Sequence, residues 1–262
     1  MVANDYTHKE FISNYIAQRL QDYDHIFVGA NLPVPRTGAL LAHFTHAPNM
    51  KVSIGLVRAN LLNERELEPH KFSTDYRMQR WAEAITVHDN VFEKIRDTIT
   101  VFFIGGIQVD KFGNTNLIGI GKDYKHLDFR GPGTLGTLSC SYYCDRYYIF
   151  VESHSRRLFV DKCDFISVFG HGEGGDHRQR LGLARYNAGP ECVITPLCIM
   201  DFEPETKRAR LKSVHPWSSV DEVVENTGFK LIIPEQVPVT EGPTNEALET
   251  IRSRIDLEGL LQ

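Results

Sequence analysis

Twelve consecutive residues, Gly105-Gly106-Ile107-Gln108-Val109-Asp110-Lys111-Phe112-Gly113-Asn114-Thr115-Asn116, form the chain's densest set of groups suited to holding a polar ligand. Paired glycines let a ligand come close to backbone amides, and Gln108 and Asn116 carry N–H donors able to steady an oxyanion. Gly113-Asn114 by itself is an ordinary turn signal. A second loop, Arg130-Gly131-Pro132-Gly133-Thr134-Leu135-Gly136, places a guanidinium beside permissive backbone. The fork of Arg130 matches two oxygens of a carboxylate or phosphate, and equally Arg130 is a solvated side chain ahead of a close-packed loop. Gly170-His171-Gly172-Glu173-Gly174-Gly175-Asp176-His177 offers His171 and Glu173 as an acid/base pair, against the plainer alternative of a loop with incidental polar residues. Gly29-Ala30-Asn31-Leu32-Pro33, with Gly38 beyond, is either an anion-binding turn before a helix or a simple tight turn. It lacks the GxGxxG spacing and a matching acidic residue, which argues against a nicotinamide dinucleotide.

Other chemistry finds less support. His43 and His46 stand three apart with no third ligand nearby, and Cys140 and Cys144 lack a partner pair, so no metal site is expected. No GxSxG occurs, which removes the α/β-hydrolase nucleophile. Tyr142, Tyr143, Tyr147 and Tyr148 suit a sheet and core better than a stacking platform. Lys207-Arg208-Ala209-Arg210, after a turn near Glu203-Pro204-Glu205, is most simply a solvated hairpin arm.

The loops need elements to hold them. Thr7-His8-Lys9-Glu10 has capping-box spacing, and Phe11, Ile12, Tyr15, Ile16 and Leu20 then share one helical face. His25-Ile26-Phe27-Val28 is a short buried strand, and a helix resumes near Thr37. Strands are expected at Lys51–Val57, at Ile99–Ile104 (apolar nearly throughout), at Tyr147–Val151, at Phe165–Phe169 and at Cys192–Met200. Residues 60–97 are polar and helix-rich, and Asp110–Asn114 forms a hairpin turn. Ser219–Glu222 starts a late helix, and a final one runs from Thr244 to Ile255. No repeat and no long linker appears, so residues 1–262 are expected to form a single α/β domain with a mostly parallel open sheet. Ligands of such sheets bind beyond the carboxyl ends of strands, which here lead into residues 29–33, 105–108 and 170–175.

Composition narrows the function classes. The 262 residues are 42% hydrophobic and 24% charged, an ordinary globular balance. With 29 Lys plus Arg against 34 Asp plus Glu, the net charge of −5 shows no basic excess of the kind nucleic-acid binders carry. No apolar run approaches the ~18 residues of a membrane span. The start lacks a secretory pattern, and five cysteines are too few for a disulfide framework, so a cytoplasmic, reduced setting is expected.

The ordered set Gly29-Ala30, Pro33, Gly38-Ala39, Ala47-Pro48 and Gly105-Gly106-x-Gln108-x-Asp110-x-x-Gly113-Asn114-x-Asn116 resembles the beta subunit of family I CoA-transferases. Arg156-Arg157, Asp164, Gly174-Gly175, Arg180-Leu181-Gly182-Leu183, Thr195, Phe202, His215-Pro216 and Glu225-Asn226-Thr227-Gly228-Phe229 continue in the same order. The resemblance spans nearly the whole chain and is nearest to glutaconate CoA-transferase beta-like proteins. It implies a three-layer α/β/α fold of the sugar-isomerase/CoA-transferase class. It also implies an alpha subunit as partner, in a heterodimer or heterotetramer, and a coenzyme A thioester as substrate with no bound cofactor.

One departure bears on the chemistry. Transferases of this family carry a nucleophilic glutamate in a turn after the strand that follows Ala-Pro, and that carboxylate carries CoA as a thioester. Counting from Ala47-Pro48, its place here is Gly55, and no Asp or Glu lies between Lys51 and Asn63. Family members without the glutamate resemble hydrolases that open a ring of a cyclic diketone CoA thioester, or decarboxylases of glutaconyl-type CoA thioesters. Arg130-Gly131-Pro132-Gly133 is similar to the Arg-Gly-x-Pro-Gly of the ring-opening enzymes. The expected function is therefore hydrolytic C–C cleavage of a cyclic 1,3-dicarbonyl acyl-CoA. CoA transfer, decarboxylation and a non-catalytic, pocket-forming role are the alternatives. The expected contacts to substrate and CoA are Gly29, Ala30, Asn31, Gly105, Gly106, Gln108, Asn116, Arg130, Gly131 and Gly133. The main general base is expected from the alpha subunit, with His171 and Glu173 as the substitutes this chain offers.

Overall fold

Thr7 opens the first helix in the way its spacing requires. Its hydroxyl accepts from Glu10 N at 3.2 Å, and its own N–H donates to the Glu10 carboxylate at 2.8 Å. The helix α1 spans His8–Ala17 and buries Phe11, Ile12, Tyr15 and Ile16. The computed structural model describes residues 3–28, 32–54, 57–59, 82–85, 99–134 and 136–262. Its contacts divide the chain into two units, residues 1–103 with 241–262, and residues 104–240.

In the first unit β1 (His25–Val28) lies parallel to β2 (Lys51–Ile54), with His25 opposite Lys51. Two shorter strands, β3 (Val57–Ala59) and β4 (Ala82–Ile85), follow in antiparallel pairing. On the other side of β1 runs β5 (Val101–Ile104), parallel and buried throughout. The strand β4 falls inside the stretch expected to be helix-rich; the rest of 60–97 lies outside the described residues, as does Gly55. Helix α2 (Pro33–Phe44) starts before the expected Thr37. Proline at the first helical position has its φ preset and no N–H to leave unpaired, so the helix begins there. Gly38 faces α1: a Cβ at that position would stand 2.6 Å from Ile16 Cγ2, so the two helices approach this closely only over a glycine. At the chain's end, Thr244 caps the helix Asn245–Thr250, which passes into a π-helical turn at Ile251–Ile255. That turn carries Arg252, whose guanidinium holds the buried Glu10 carboxylate at 2.7 and 2.9 Å.

The second unit begins with a hairpin of β6 (Gln108–Asp110) and β7 (Thr115–Asn116), then a two-stranded arm of β8 (Gly119–Ile120) and β9 (Phe129–Arg130). Helix α3 (Thr137–Tyr143) leads into β10 (Arg146–Phe150), and β11 (Phe159–Val160) pairs parallel with β6. After a short helix α4 (His177–Arg180), β12 (Pro190–Ile194) lies parallel to β10, and β13 (Cys198–Phe202) and β14 (Ala209–Val214) follow antiparallel. Helix α5 (Val220–Asn226) is capped by Ser219. Val109, Ile149, Phe159, Val193, Met200, Leu211 and Phe229 belong to an apolar core cluster of this unit.

Three expected strands differ. Lys51–Val57 is not one strand: β2 ends at Ile54, and Val57 already belongs to β3, which runs back antiparallel along it. Cys192–Met200 is not continuous: Thr195 Oγ1 takes the N–H groups of Leu197 and Cys198 at 3.1 and 3.0 Å, folding the chain between β12 and β13. Phe165–Phe169 forms no strand but one isolated bridge, Val168 to Thr115. Its available neighbour, β7, is only two residues long, and Ser167 Oγ spends itself on Leu117 N at 2.7 Å. Among the described residues no helix is long and apolar enough to cross a membrane.

Candidate functional site

Because β1, β2 and β5 run parallel and side by side, their carboxyl ends share one edge. The residues that follow β1 and β2, including Gly29, Ala30, Asn31 and Gly55, lie outside the described residues. Gly105 and Gly106 follow β5 and lead straight into the β6–β7 hairpin.

That hairpin fixes the two amides differently. Asn116 is fully buried. Its Nδ2 donates to Gln108 Oε1 and to Gly119 O, both at 2.7 Å, and its Oδ1 accepts from Ile118 N at 2.8 Å and Gly119 N at 3.3 Å. Both ends of the Asn116 amide are therefore spent inside the protein, on the Gln108 side chain and on the backbone of Ile118 and Gly119. Gln108 Oε1 also accepts from Asp164 N at 3.0 Å, which settles which end of the amide is oxygen. The Nε2 end is left uncommitted to the hairpin, and it is the side-chain donor this motif can offer a ligand.

The arm brings the Arg130 loop to the same end of the hairpin. Gly119 pairs with Arg130, Gly131 N donates to Ile118 O at 2.8 Å, and Gly133 N donates to Leu117 O at 2.9 Å. A Cβ on Gly131 would lie 2.2 Å from Leu117 O, so only glycine lets the two backbones meet there. Arg130 is exposed, its guanidinium 5.8 Å over the Tyr124 ring, beside the exposed Phe129. Gln108, Asn116, Arg130, Gly131 and Gly133 thus form one constellation, reached directly from Gly105-Gly106 through the Ile107 N to Asn116 O bond at 2.8 Å.

His171 and Glu173 are not brought together. The Glu173 side chain is 82% exposed and stands 3.8 Å from His177 Nδ1. His171 is buried, and its N–H donates to Phe112 O, on the turn of the hairpin and away from the Gln108–Asn116 end. Burial, with Lys207 and Arg178 adding to it, depresses its imidazole to about 4, so the ring is neutral at pH 7.

Sequence reasoning missed the side chains that stitch these loops together. Asn114 Oδ1 accepts from Gly170 N and Gly172 N at 2.9 and 3.1 Å, while Nδ2 donates to Asp110 Oδ2 and Gly172 O, both at 2.8 Å. Burial raises the Asp110 pKa in spite of the Asn114 and backbone donors. Arg178, also buried, donates to Phe169 O, Gly170 O and Asn187, and Asn187 reaches back to Ser141 O and Cys144 O. The available signal was the amide-before-glycine pattern Asn187-Ala188-Gly189, which resembles any turn. The five cysteines are free and buried, and burial pushes the thiols of Cys140, Cys144, Cys163 and Cys198 up, so none of these four is a thiolate nucleophile at pH 7. Among the described residues no group of three His, Cys, Asp or Glu could hold a metal.

Residues 9–226 match the family profile described as Coenzyme A transferase. The chain is 34% identical over 250 residues to the B-type subunit of the 3-oxoadipate CoA-transferase of Pseudomonas knackmussii, covering 95% of this chain and 93% of that one. It is 25% identical to the cholesterol ring-cleaving hydrolase IpdB subunit of Rhodococcus jostii, covering 97% and 94%. The crystal structure of glutaconate coenzyme A-transferase from Acidaminococcus fermentans superposes with a TM-score of 0.84, 29% identity and 98% coverage of both chains.

Proposed function

The chain belongs to the coenzyme A transferase family, and on that premise we propose that it is the beta-type subunit of a heteromeric enzyme that adds water to a cyclic 1,3-dicarbonyl acyl-CoA and opens the ring. This reading is supported by the sequence: no carboxylate lies between Lys51 and Asn63, and counting from Ala47-Pro48 sets the place of the transferases' CoA-carrying glutamate at Gly55. On this reading no carboxylate of the strand end takes CoA from the acyl-CoA, and the substrate's own thioester serves as handle and electron sink. A base activates water, water attacks a ring ketone, and the C–C bond breaks to leave an enolate that is then protonated. Gln108 Nε2 and the backbone amides at Gly105-Gly106 are the donors for the oxyanion and enolate, since the N–H groups of Gly131 and Gly133 are spent on Ile118 O and Leu117 O. Arg130, exposed at the rim, takes a carboxylate or CoA phosphate. Glu173 in solvent and the depressed, buried His171 suit a general base poorly, which assigns that role to the alpha subunit.

A second reading, CoA transfer to a carboxylic acid, is favoured by one observation: identity to the 3-oxoadipate transferase chain is 34%, against 25% to the ring-cleaving hydrolase chain. It requires a carboxylate supplied from elsewhere and a glutamyl- or aspartyl-CoA adduct. Arg130→Ala in the co-purified complex tests the site shared by both readings. KM for acyl-CoA should rise about tenfold, the scale of one lost charge-assisted contact, while the melting temperature holds. Unchanged turnover and affinity would remove Arg130 from the site.

A further inference from the structure

We propose that Asp164 is a positioning residue of this site: it holds Gln108 and the arm that carries Arg130 in one frame, so that amide and guanidinium meet the same ligand. The assignment rests on Gln108 and Arg130 being the ligand-facing groups of the proposed reaction.

The two groups reach the site on different segments. Gln108 stands on β6, within the hairpin, whereas Arg130 ends β9, on an arm whose ladder is two residue pairs long. A two-stranded piece that short is marginal by itself and needs an outside hold to keep one place. Asp164 supplies it from a third segment. Its main-chain N–H donates to Gln108 Oε1 at 3.0 Å, which commits that oxygen and leaves Nε2 for a ligand. Its carboxylate Oδ2 accepts from Gly121 N at 2.9 Å. Gly121 follows β8 directly, and its φ of +143° is a conformation that favours glycine.

The next residue adds a second hold on the same arm. The Phe165 ring meets the Tyr124 ring edge-on with centroids 6.3 Å apart, and the Arg130 guanidinium stands 5.8 Å from the centre of that Tyr124 ring. Asp164-Phe165 therefore reaches Gln108 by one hydrogen bond, the arm's backbone by another, and the ring beneath Arg130 by an aromatic contact. Asp164 itself is exposed, so its side chain fills no core. Charge alone gives the opposite expectation, because a carboxylate tied to this arm weakens an anion's hold on Arg130. Any gain in binding from Asp164 comes through geometry.

Calorimetric titration of the co-purified complex with glutaryl-CoA tests this, since the probe offers Arg130 both a free carboxylate and the CoA phosphates. Asp164→Ala should weaken binding about three- to tenfold, with the melting temperature lowered by at most about 3 °C. Asp164→Asn keeps an oxygen for Gly121 N and removes the charge, so it should bind as tightly as the wild type or more tightly. Adding Asp164→Ala to Arg130→Ala should cost less than about a further twofold, because both changes act through one contact. Full affinity in Asp164→Ala, equal weakening in the two Asp164 variants, or additive losses in the double variant would overturn the assignment while the loss in Arg130→Ala leaves the site standing. Unchanged affinity in Arg130→Ala, or no saturable binding to the wild-type complex, would instead overturn the reading of the site and the assignment with it.

Discussion

Truncating Asn114 to alanine should destabilise the chain more than the change of any exposed residue at the site. The side chain is 1% exposed and ties three segments together. Without it, Gly170 N and Gly172 N lose their acceptor and Gly172 O loses its donor, all inside the protein. Asp110 loses the amide bond to Oδ2 at 2.8 Å and keeps its backbone donors, Phe112 N and Asn114 N on Oδ1 and the Cys163 N–H. At roughly 1–2 kcal/mol for each of three backbone groups left unpaired, the loss is about 3–6 kcal/mol. In a chain of this length that lowers the melting temperature by about 10 °C. Asn114→Asp separates the hydrogen-bonding account from mere volume, because it keeps the shape but sets a second carboxylate against Asp110. Two carboxylates at that distance share a proton, so this variant should regain stability as the pH falls from 7 toward 5. Urea unfolding of the three proteins at both pH values gives the numbers. A loss below about 1 kcal/mol for Asn114→Ala, or a pH response of Asn114→Asp equal to wild type, would refute the reasoning.

Three further outcomes are expected. His154, half-buried and bonded to Thr195 and Thr227 hydroxyls, is depressed to about 4 by desolvation and by His215, as His171 is by burial and nearby cations. The unfolded rings take up protons below their usual 6.5 while the folded ones do not, so stability should fall between pH 6.5 and 4. The loss is about 3 kcal/mol for each ring, and urea midpoints that stay flat from pH 7 to 5 would contradict it. Burial raises the Glu10 pKa, but the Arg252 guanidinium and Thr7 outweigh it and hold the carboxyl below 4.5. Glu10→Gln should cost about 1–3 kcal/mol at pH 7 and flatten the stability loss below pH 4.5, as read by the same unfolding series. Gly131→Ala should cut turnover of the complex by more than about tenfold with little change in melting temperature, because the added Cβ, 2.2 Å from Leu117 O, displaces an exposed arm that carries the site; full activity would show that the arm is not part of it.

How much of this is legible in the sequence depends on whether a residue's partner is near along the chain. Thr7 and Glu10 signal a helix start because they cap each other three residues apart, and β1 is marked by a short apolar run that ends on Gly29. The hairpin at Asp110–Asn114 is equally plain, since its turn chemistry is local. Phe165–Phe169 has the composition of a strand, yet β-structure needs a partner, and the partner offers only Thr115. The twelve-residue motif stands out as chemistry, whereas most of its polar groups build architecture. Asn116 is consumed within the hairpin and the arm that follows it, and Asn114 bonds to residues some fifty positions on, a pairing that no spacing rule reveals. His171 and Glu173 are two residues apart and look like a pair, but one turns inward and the other outward.

The central claim is that this chain's enzyme keeps CoA on its substrate. Mass spectrometry of acyl-CoA products tests it most directly, using the chain co-purified with its alpha subunit and a panel of acyl-CoAs, each with and without acceptor acids. A CoA ester that gains one water in the absence of any acceptor is the predicted result. A new CoA ester that forms only when an acceptor acid is present, accompanied by an enzyme-bound CoA thioester, would contradict the claim and restore transfer as the reaction.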